Sequence, residues 1–321
     1  MVYLFMVFRS HIATMNTENI FKSKNIKRLA AFTVIGILLV FSVSFIGFGK
    51  VASQGYQYED VQVKQNELAY LEETYDVLLF GDSIAWAGYD PGIFWKTNGI
   101  PAYNCATSGQ WLGDGRIILN TALEKLHPEV IVWDANSIYT RISRVKYYLS
   151  QYIPVFHYHF AYLYQNQPGE KDSLRGFNSD TVTNPYTGNP DYMTDLAVQP
   201  YKDLAAENLE EIYNICKEHN IILIMTCLPN ASAWNMGRHK AVQEWCESHG
   251  VEFIDYNLLT DEIGIDWSTD TRDGGEHLNN SGANKVCRHL SDYLKDHYDL
   301  QNHGKDPACS EWIEDYGEVE S

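Results

Sequence analysis

Apolar positions along this chain fall into three patterns. One is a single run at residues 29–48, LAAFTVIGILLVFSVSFIGF, with no charge over 20 residues; as a helix it would span about 30 Å, the thickness of a bilayer core. A second is a series of short blocks: VLLF at 77–80, AYNCA at 102–106, VIVW at 130–133, IILIMTC at 221–227 and VEFI at 251–254. Blocks of this length without polar alternation predict strands covered on both faces. The third is helical spacing between the blocks, at 115–126, 203–219 and 235–250, the last closed by Gly250 in the position of a C-terminal cap. Strands alternating with helices predict an α/β fold, a doubly wound parallel sheet. Such sheets carry ligand sites beyond the carboxyl ends of their strands, so the residues after each block are where chemistry is sought.

Three stretches depart from the alternation. Residues 49–75 are polar and mixed in charge, with a short helix expected around 66–75, and read as a stalk before a domain that begins at Asp76. Residues 139–200 are rich in Tyr, Phe, Asn and Pro and too long for an ordinary connection; they read as an insertion that caps or lines the site. After residue 298 comes an acidic tail, 299–321.

Charge divides the chain. Its net value is −18, yet the first 50 residues hold six Lys or Arg against one acid and carry +5, leaving −23 for the rest. An acidic domain of this kind disfavours a nucleic-acid partner. Lys22, Lys24, Lys27 and Arg28 precede the long apolar run and Glu59 and Asp60 follow it, which predicts a cytoplasmic segment 1–28, a membrane-spanning anchor 29–48 and a domain outside the membrane. A signal peptide cleaved near Val51-Ala52-Ser53 is the competing reading, but the run exceeds the usual length of such a segment. Met15 is an alternative start. At 321 residues and 45% hydrophobic content the chain has ample material for a packed core. Its six cysteines include no C-x-x-C pair, which argues against a structural zinc site or a dithiol redox motif.

Directly after the first block stands Gly81-Asp82-Ser83, a turn that places a hydroxyl at a strand's carboxyl end and at the start of a helix. Gly-Asp-Ser is also ordinary turn chemistry. Near the other end of the domain, Asp273-Gly274-Gly275-Glu276-His277 holds an imidazole in a Gly-rich loop with carboxylates beside it, as a serine nucleophile requires of its base. The plain alternative is a solvated loop in which Asn280 or Ser281 caps the following helix. His157 and His159 have the spacing of two imidazoles on one strand face, without an evident third ligand, and no metal site is assigned.

Taken together these motifs resemble the SGNH (GDSL-type) hydrolases over residues 76–298. Gly81-Asp82-Ser83 resembles the nucleophile block, Ser108-Gly109-Gln110 the glycine block, Asp134-Ala135-Asn136-Ser137 the Gly-x-Asn-Asp block, and Asp273 to His277 the last block. The resemblance implies a flavodoxin-like five-stranded sheet and a triad of Ser83, His277 and Asp273. It also implies an oxyanion hole from the N–H groups of Ser83 and Gly109 and the side chain of Asn136. The chain departs from the family pattern in having Gly274 three residues before His277, which leaves Asp273 as the preferred carboxylate over Glu276 and Asp270. It departs again in having Asp134 where glycine is usual. Trp86, Tyr89 and Trp111 flank the blocks and are candidates for substrate contact.

The resulting expectation is a membrane-anchored serine esterase acting outside the membrane on O-acyl esters of cell-envelope carbohydrate, without a cofactor. The alternatives are an O-acyltransferase resembling the D-alanine transfer protein of teichoic acid modification, working with a membrane acyltransferase, and a non-catalytic carbohydrate-binding module on the same fold.

Overall fold

The short apolar blocks become a parallel sheet. A computed structural model describes residues 24–53, 59–71, 74–140, 142 and 172–320. Strands β1 (Val77–Phe80), β2 (Ala102–Asn104), β3 (Val130–Asp134), β4 (Ile222–Cys227) and β5 (Glu252–Asp255) are arranged in the order β2-β1-β3-β4-β5. Every neighbouring pair is parallel, with Val77 opposite both Ala102 and Val130, Val130 opposite Ile222, and Ile224 opposite Glu252. This is the expected flavodoxin-like order, in which the chain switches direction between β1 and β3 and opens a crevice at their carboxyl ends.

Because successive side chains leave a strand on opposite faces, each block feeds two cores. Leu78, Phe80, Ile131, Trp133 and Met225 belong to one. Val77, Leu79, Val130, Val132 and Ile224 belong to the other. Helices α5 (Leu112–Leu123), α6 (Asp203–Glu218) and α7 (Met236–His249) pack on the first face. Helices α3 (Ser83–Gly88), α4 (Pro91–Asn98) and α8 (Asn280–Tyr298) pack on the second. Helix α7 ends on Gly250 as expected. The cap of α8 is Asn279, whose side chain accepts from the N–H groups of Ser281 and Gly282. Asn280, one of the two expected caps, is the first helical residue, and its side-chain oxygen accepts from the Asp180 N–H.

Both flanking stretches join the domain. Helix α2 (Glu59–Ala69) lies earlier than the expected helix, and its Val61 and Leu68, one heptad apart, are buried in the first core. Lys64 is 4% exposed and pairs with Glu67 at 2.7 Å, Glu67 accepts from the Tyr103 hydroxyl, and Gln65 reaches Thr121. At the other terminus, α9 (Ser310–Tyr316) buries Trp312, which stacks on Trp95 with ring centres 5.2 Å apart and lies under the Arg175 guanidinium. The Trp95 indole N–H donates to the Gly317 carbonyl. The stalk and tail boundaries drawn from polarity therefore differ from what packs: a few spaced apolar residues suffice to dock a helix that is otherwise polar.

Helix α1 (Lys24–Ser53) contains the long apolar run, and its described side chains, residues 25–42, are exposed. Among the described residues it is the one helix long and apolar enough to cross a membrane.

Candidate active site

Ser83 is the first residue of α3, three residues past the end of β1. The turn between them is held tightly. Gly81 has φ +154, and a Cβ on it would stand 2.4 Å from the Ala85 Cβ and 2.9 Å from the Asp134 Cβ; only glycine fits there. Asp82 caps the helix, accepting from the Ile84 N–H at 3.0 Å with one carboxylate oxygen and from the Thr140 hydroxyl at 3.1 Å with the other. Burial pushes the Asp82 carboxyl above the usual range, opposed by these bonds and by the nearby His277. Capping carboxylate and helix N-terminus leave the Ser83 hydroxyl facing the crevice, where the His277 Nε2 lies 2.8 Å away.

His277 stands on the loop between β5 and α8. Its Nδ1 is 2.5 Å from one oxygen of Asp273, and the other oxygen of Asp273 accepts from the His277 backbone N–H at 2.8 Å. Asp273 therefore holds both the ring and the main chain of His277. With Asp273 on Nδ1–H, Nε2 is left to accept from Ser83. Of the alternatives, Asp270 is fully buried and pairs with Lys285 at 2.6 Å, away from the imidazole, and Glu276 donates its N–H to Asp273.

The loop is clamped from outside the sheet. Thr271 and Gly274 exchange main-chain bonds with Asn184, and Tyr186 donates its N–H to Trp267. A Cβ on Gly275 would stand 2.6 Å from the Tyr186 ring, and that glycine has φ +101, so the close approach requires glycine there. Asn279 and Arg272 reach Val182 and Asn178. Residues 178–186, the part of the insertion that the structure describes next to the site, thus form a strap along the loop that carries His277. Residues 143–171, with His157 and His159, lie outside the described residues.

The expected oxyanion donors are placed unequally. The Ser83 N–H is at the first turn of α3, where it has no intrahelical acceptor. Gly109 is exposed, and its N–H has no acceptor among the described residues. Asn136 is different. Its amide nitrogen donates to Asp134 at 2.9 Å and lies 3.4 Å from the Cys227 sulfur, while its oxygen accepts from Asn230 at 3.3 Å. The Asn136 amide hydrogens thus face the interior in this structure, and the reason is Asp134. In the position where the resemblance has a glycine, its carboxylate accepts from both the main chain and the side chain of Asn136, and from the Leu228 N–H at the end of β4. Burial, and then the neighbouring Asp82, push the Asp134 carboxyl up to about 7.

The aromatic candidates also separate. Trp86 is half-buried, one turn along α3 from Ser83, and lines a cavity of about 280 Å³. Tyr89 is fully buried in the second core with its hydroxyl bonded to Thr226; a tyrosine on the far end of a six-residue helix turns into the sheet, so its expected contact with substrate is corrected to packing. Trp111 is 3% exposed, folds its ring over Gly113 and packs on Leu204, at the edge of a second cavity of about 540 Å³ that also touches Thr140.

Two clusters of potential metal ligands occur among the described residues, Asp273 with Glu276 and His277, and His303 with Asp306 and Cys309. In the first, the imidazole is already shared between Ser83 and Asp273. In the second, His303 bridges Asp306 and Asp76 at 3.1 Å each, at the amino end of β1. All six cysteines are buried. Sequence reasoning missed Thr140, Asn184, Tyr186 and the Asn136–Asn230 contact; no local signal marks them, because each acts through a distant partner.

No family model matches the chain, and no curated protein does. Among solved structures it is similar to a GDSL-like lipase from Bacteroides thetaiotaomicron, at 14% identity over 74% of this chain and 99% of that one, with a TM-score of 0.40. It is similar also to a lipase/acylhydrolase from Enterococcus faecalis, at 17% identity over 70% and 96%, with a TM-score of 0.37. A third is the esterase EstA from Pseudoalteromonas sp., at 12% identity over 70% and 100%, with a TM-score of 0.36. Likenesses this distant leave the function to be argued from the chain's own residues.

Proposed function

We propose that the chain is a serine esterase of the SGNH type, which cleaves O-acyl esters through an acyl-Ser83 intermediate. The observation that carries this reading is the unbroken path from Asp273 through His277 to Ser83, closed across 194 positions of sequence by contacts of 2.5 and 2.8 Å. Ser83 attacks the ester carbonyl as His277 Nε2 takes its proton, and Asp273 stabilises the imidazolium. The Ser83 and Gly109 N–H groups stabilise the developing oxyanion. His277 then protonates the leaving alcohol, and water, activated by the same imidazole, releases the acid and restores Ser83.

Helix α1 is read as an uncleaved anchor, with Lys24, Lys27 and Arg28 on the cytoplasmic side and the catalytic domain outside. That location, with the partly exposed Trp86 beside the nucleophile, favours acylated envelope carbohydrate as substrate.

The test uses the full chain in detergent with p-nitrophenyl acetate and a fluorophosphonate label. Ser83→Ala is expected to abolish labelling and to lower kcat/KM by about 10⁴-fold or more. Equal labelling and turnover in wild type and variant would overturn the reading. Adding a polysaccharide acceptor and following the acyl group by mass spectrometry separates hydrolysis, which yields free acid, from transfer.

A further inference from the structure

The 280 Å³ cavity beside Trp86 has a wall that the catalytic machinery does not explain. Its floor is Trp86, on the same face of α3 as Ser83 and one turn further on, and Thr107, two residues before Gly109. Its far wall is Val63, Lys64 and Glu67 from α2, the helix that precedes the domain in sequence. Asn178, which donates its N–H to the Trp86 carbonyl, closes one side.

We infer that this cavity is a subsite for the alcohol portion of the substrate, a single sugar ring, and that α2 sets its specificity. The inference rests on the proposed esterase reading and extends it to a second part of the molecule. Three observations favour a sugar over a long acyl chain. The volume lies just below the usual range for small-molecule clefts and suits one ring. The lining offers one half-buried aromatic surface. Of the nine other lining residues six are polar, with hydroxyl, amide, ammonium and carboxylate groups that supply both donors and acceptors, as a polyol requires, beside the apolar Val63, Leu174 and Phe177. Lys64 is itself buried and held by Glu67 at 2.7 Å, with its ammonium over the Tyr103 ring, so its position is fixed before any ligand arrives.

The same helix links the subsite to the membrane. Helix α1 ends at Ser53 and α2 begins at Glu59, so the first residue of α2, one helical turn before Val63, lies within about 20 Å of the end of the apolar helix, the reach of a fully extended chain of that length. A sugar presented close to the bilayer surface, as on a polymer or glycolipid rooted there, is the form of substrate this arrangement serves.

The experiment compares Val63→Trp, which fills the cavity from α2, and Ser179→Trp, which fills it from an exposed position on the strap and leaves the core untouched. Each is made in the full chain and assayed on an O-acetylated methyl glucoside and on p-nitrophenyl acetate. In both variants the ratio of kcat/KM for the sugar ester to that for the nitrophenyl ester is expected to fall at least tenfold, through KM. A ratio within twofold of wild type in both would overturn the inference while leaving the esterase reading intact. Binding of unacylated methyl glucoside is measured in parallel by saturation-transfer difference NMR. Signal lost in both variants supports the subsite even if no ester is turned over, and signal equal to wild type overturns it.

Discussion

Ser83 and His277 reach each other from supports of opposite kind. Ser83 stands on the sheet: a buried strand, a glycine wedged between Ala85 and Asp134, and a helix capped by Asp82. His277 stands on an exposed loop, where Asp273 is 37% exposed, and that loop is held by main-chain bonds to Asn184 and Tyr186 of the insertion and by the Asn279 side chain on the Val182 carbonyl. One position is set by the close-packed interior and the other by a strap laid over the surface. Interior packing tolerates almost no change in volume, whereas a surface strap is held by a few bonds that water can replace. The nucleophile's side of the pair is therefore expected to fail by unfolding and the base's side by loss of rate.

The largest expected effect is on the base's side. Asp273→Ala should lower kcat/KM about 10³- to 10⁴-fold with little change in thermal stability, and Glu276→Ala less than about threefold. The reverse ranking in steady-state assays would move the carboxylate role to Glu276. On the nucleophile's side, Gly81→Ala adds a methyl group where two Cβ atoms already stand within 3 Å, in a backbone conformation unfavourable to alanine. A destabilisation of about 3–5 kcal/mol is expected in chemical denaturation; a loss below about 1 kcal/mol would show that the turn relaxes freely.

The interior support should also respond to pH. An unfolded Asp134 ionises near 3.8 and the folded one near 7. Between these values the folded protein keeps a proton that the unfolded chain has released, so this group's contribution to stability falls as pH rises from about 4 to about 7, by about 4 kcal/mol, and is constant above. Asp134→Asn should flatten that decline when unfolding is followed across the range; an unchanged slope would mean that other groups govern it. The smallest effect is expected at the strap. Tyr186→Ala removes the ring over Gly275 and should cost about tenfold in kcat, with the melting temperature nearly unchanged; a fully active variant would show that the main-chain bonds alone hold the loop.

What local pattern revealed and what it concealed follow the same division. Strands β1, β3 and β4 were legible because burial on both faces demands unbroken apolar runs. Ser83 and His277 were legible because glycines and acids crowd around them in sequence. Tyr89 and Trp111 were not separable from Trp86, since an aromatic beside a site has the same pattern whether it turns inward or outward. The docking of α2 and α9 was hidden as well: Val61, Leu68 and Trp312 are sparse among charged neighbours, and Trp95 and Arg175, which cover Trp312, are each more than a hundred residues away.

By itself the sequence determined the order of strands and helices along the chain, the long apolar helix, and which side chains have the chemistry to attack, to take a proton and to steady an imidazole. Those properties are written in residue type and in spacing over a few positions. Only the tertiary structure decided that Asn136 turns its amide to Asp134, that a strap from the insertion holds the loop of His277, and that the segment before the domain walls the cavity beside Trp86. Each of these depends on which distant group is nearest in space, and hydrogen bonds and packing act on that distance rather than on separation along the chain.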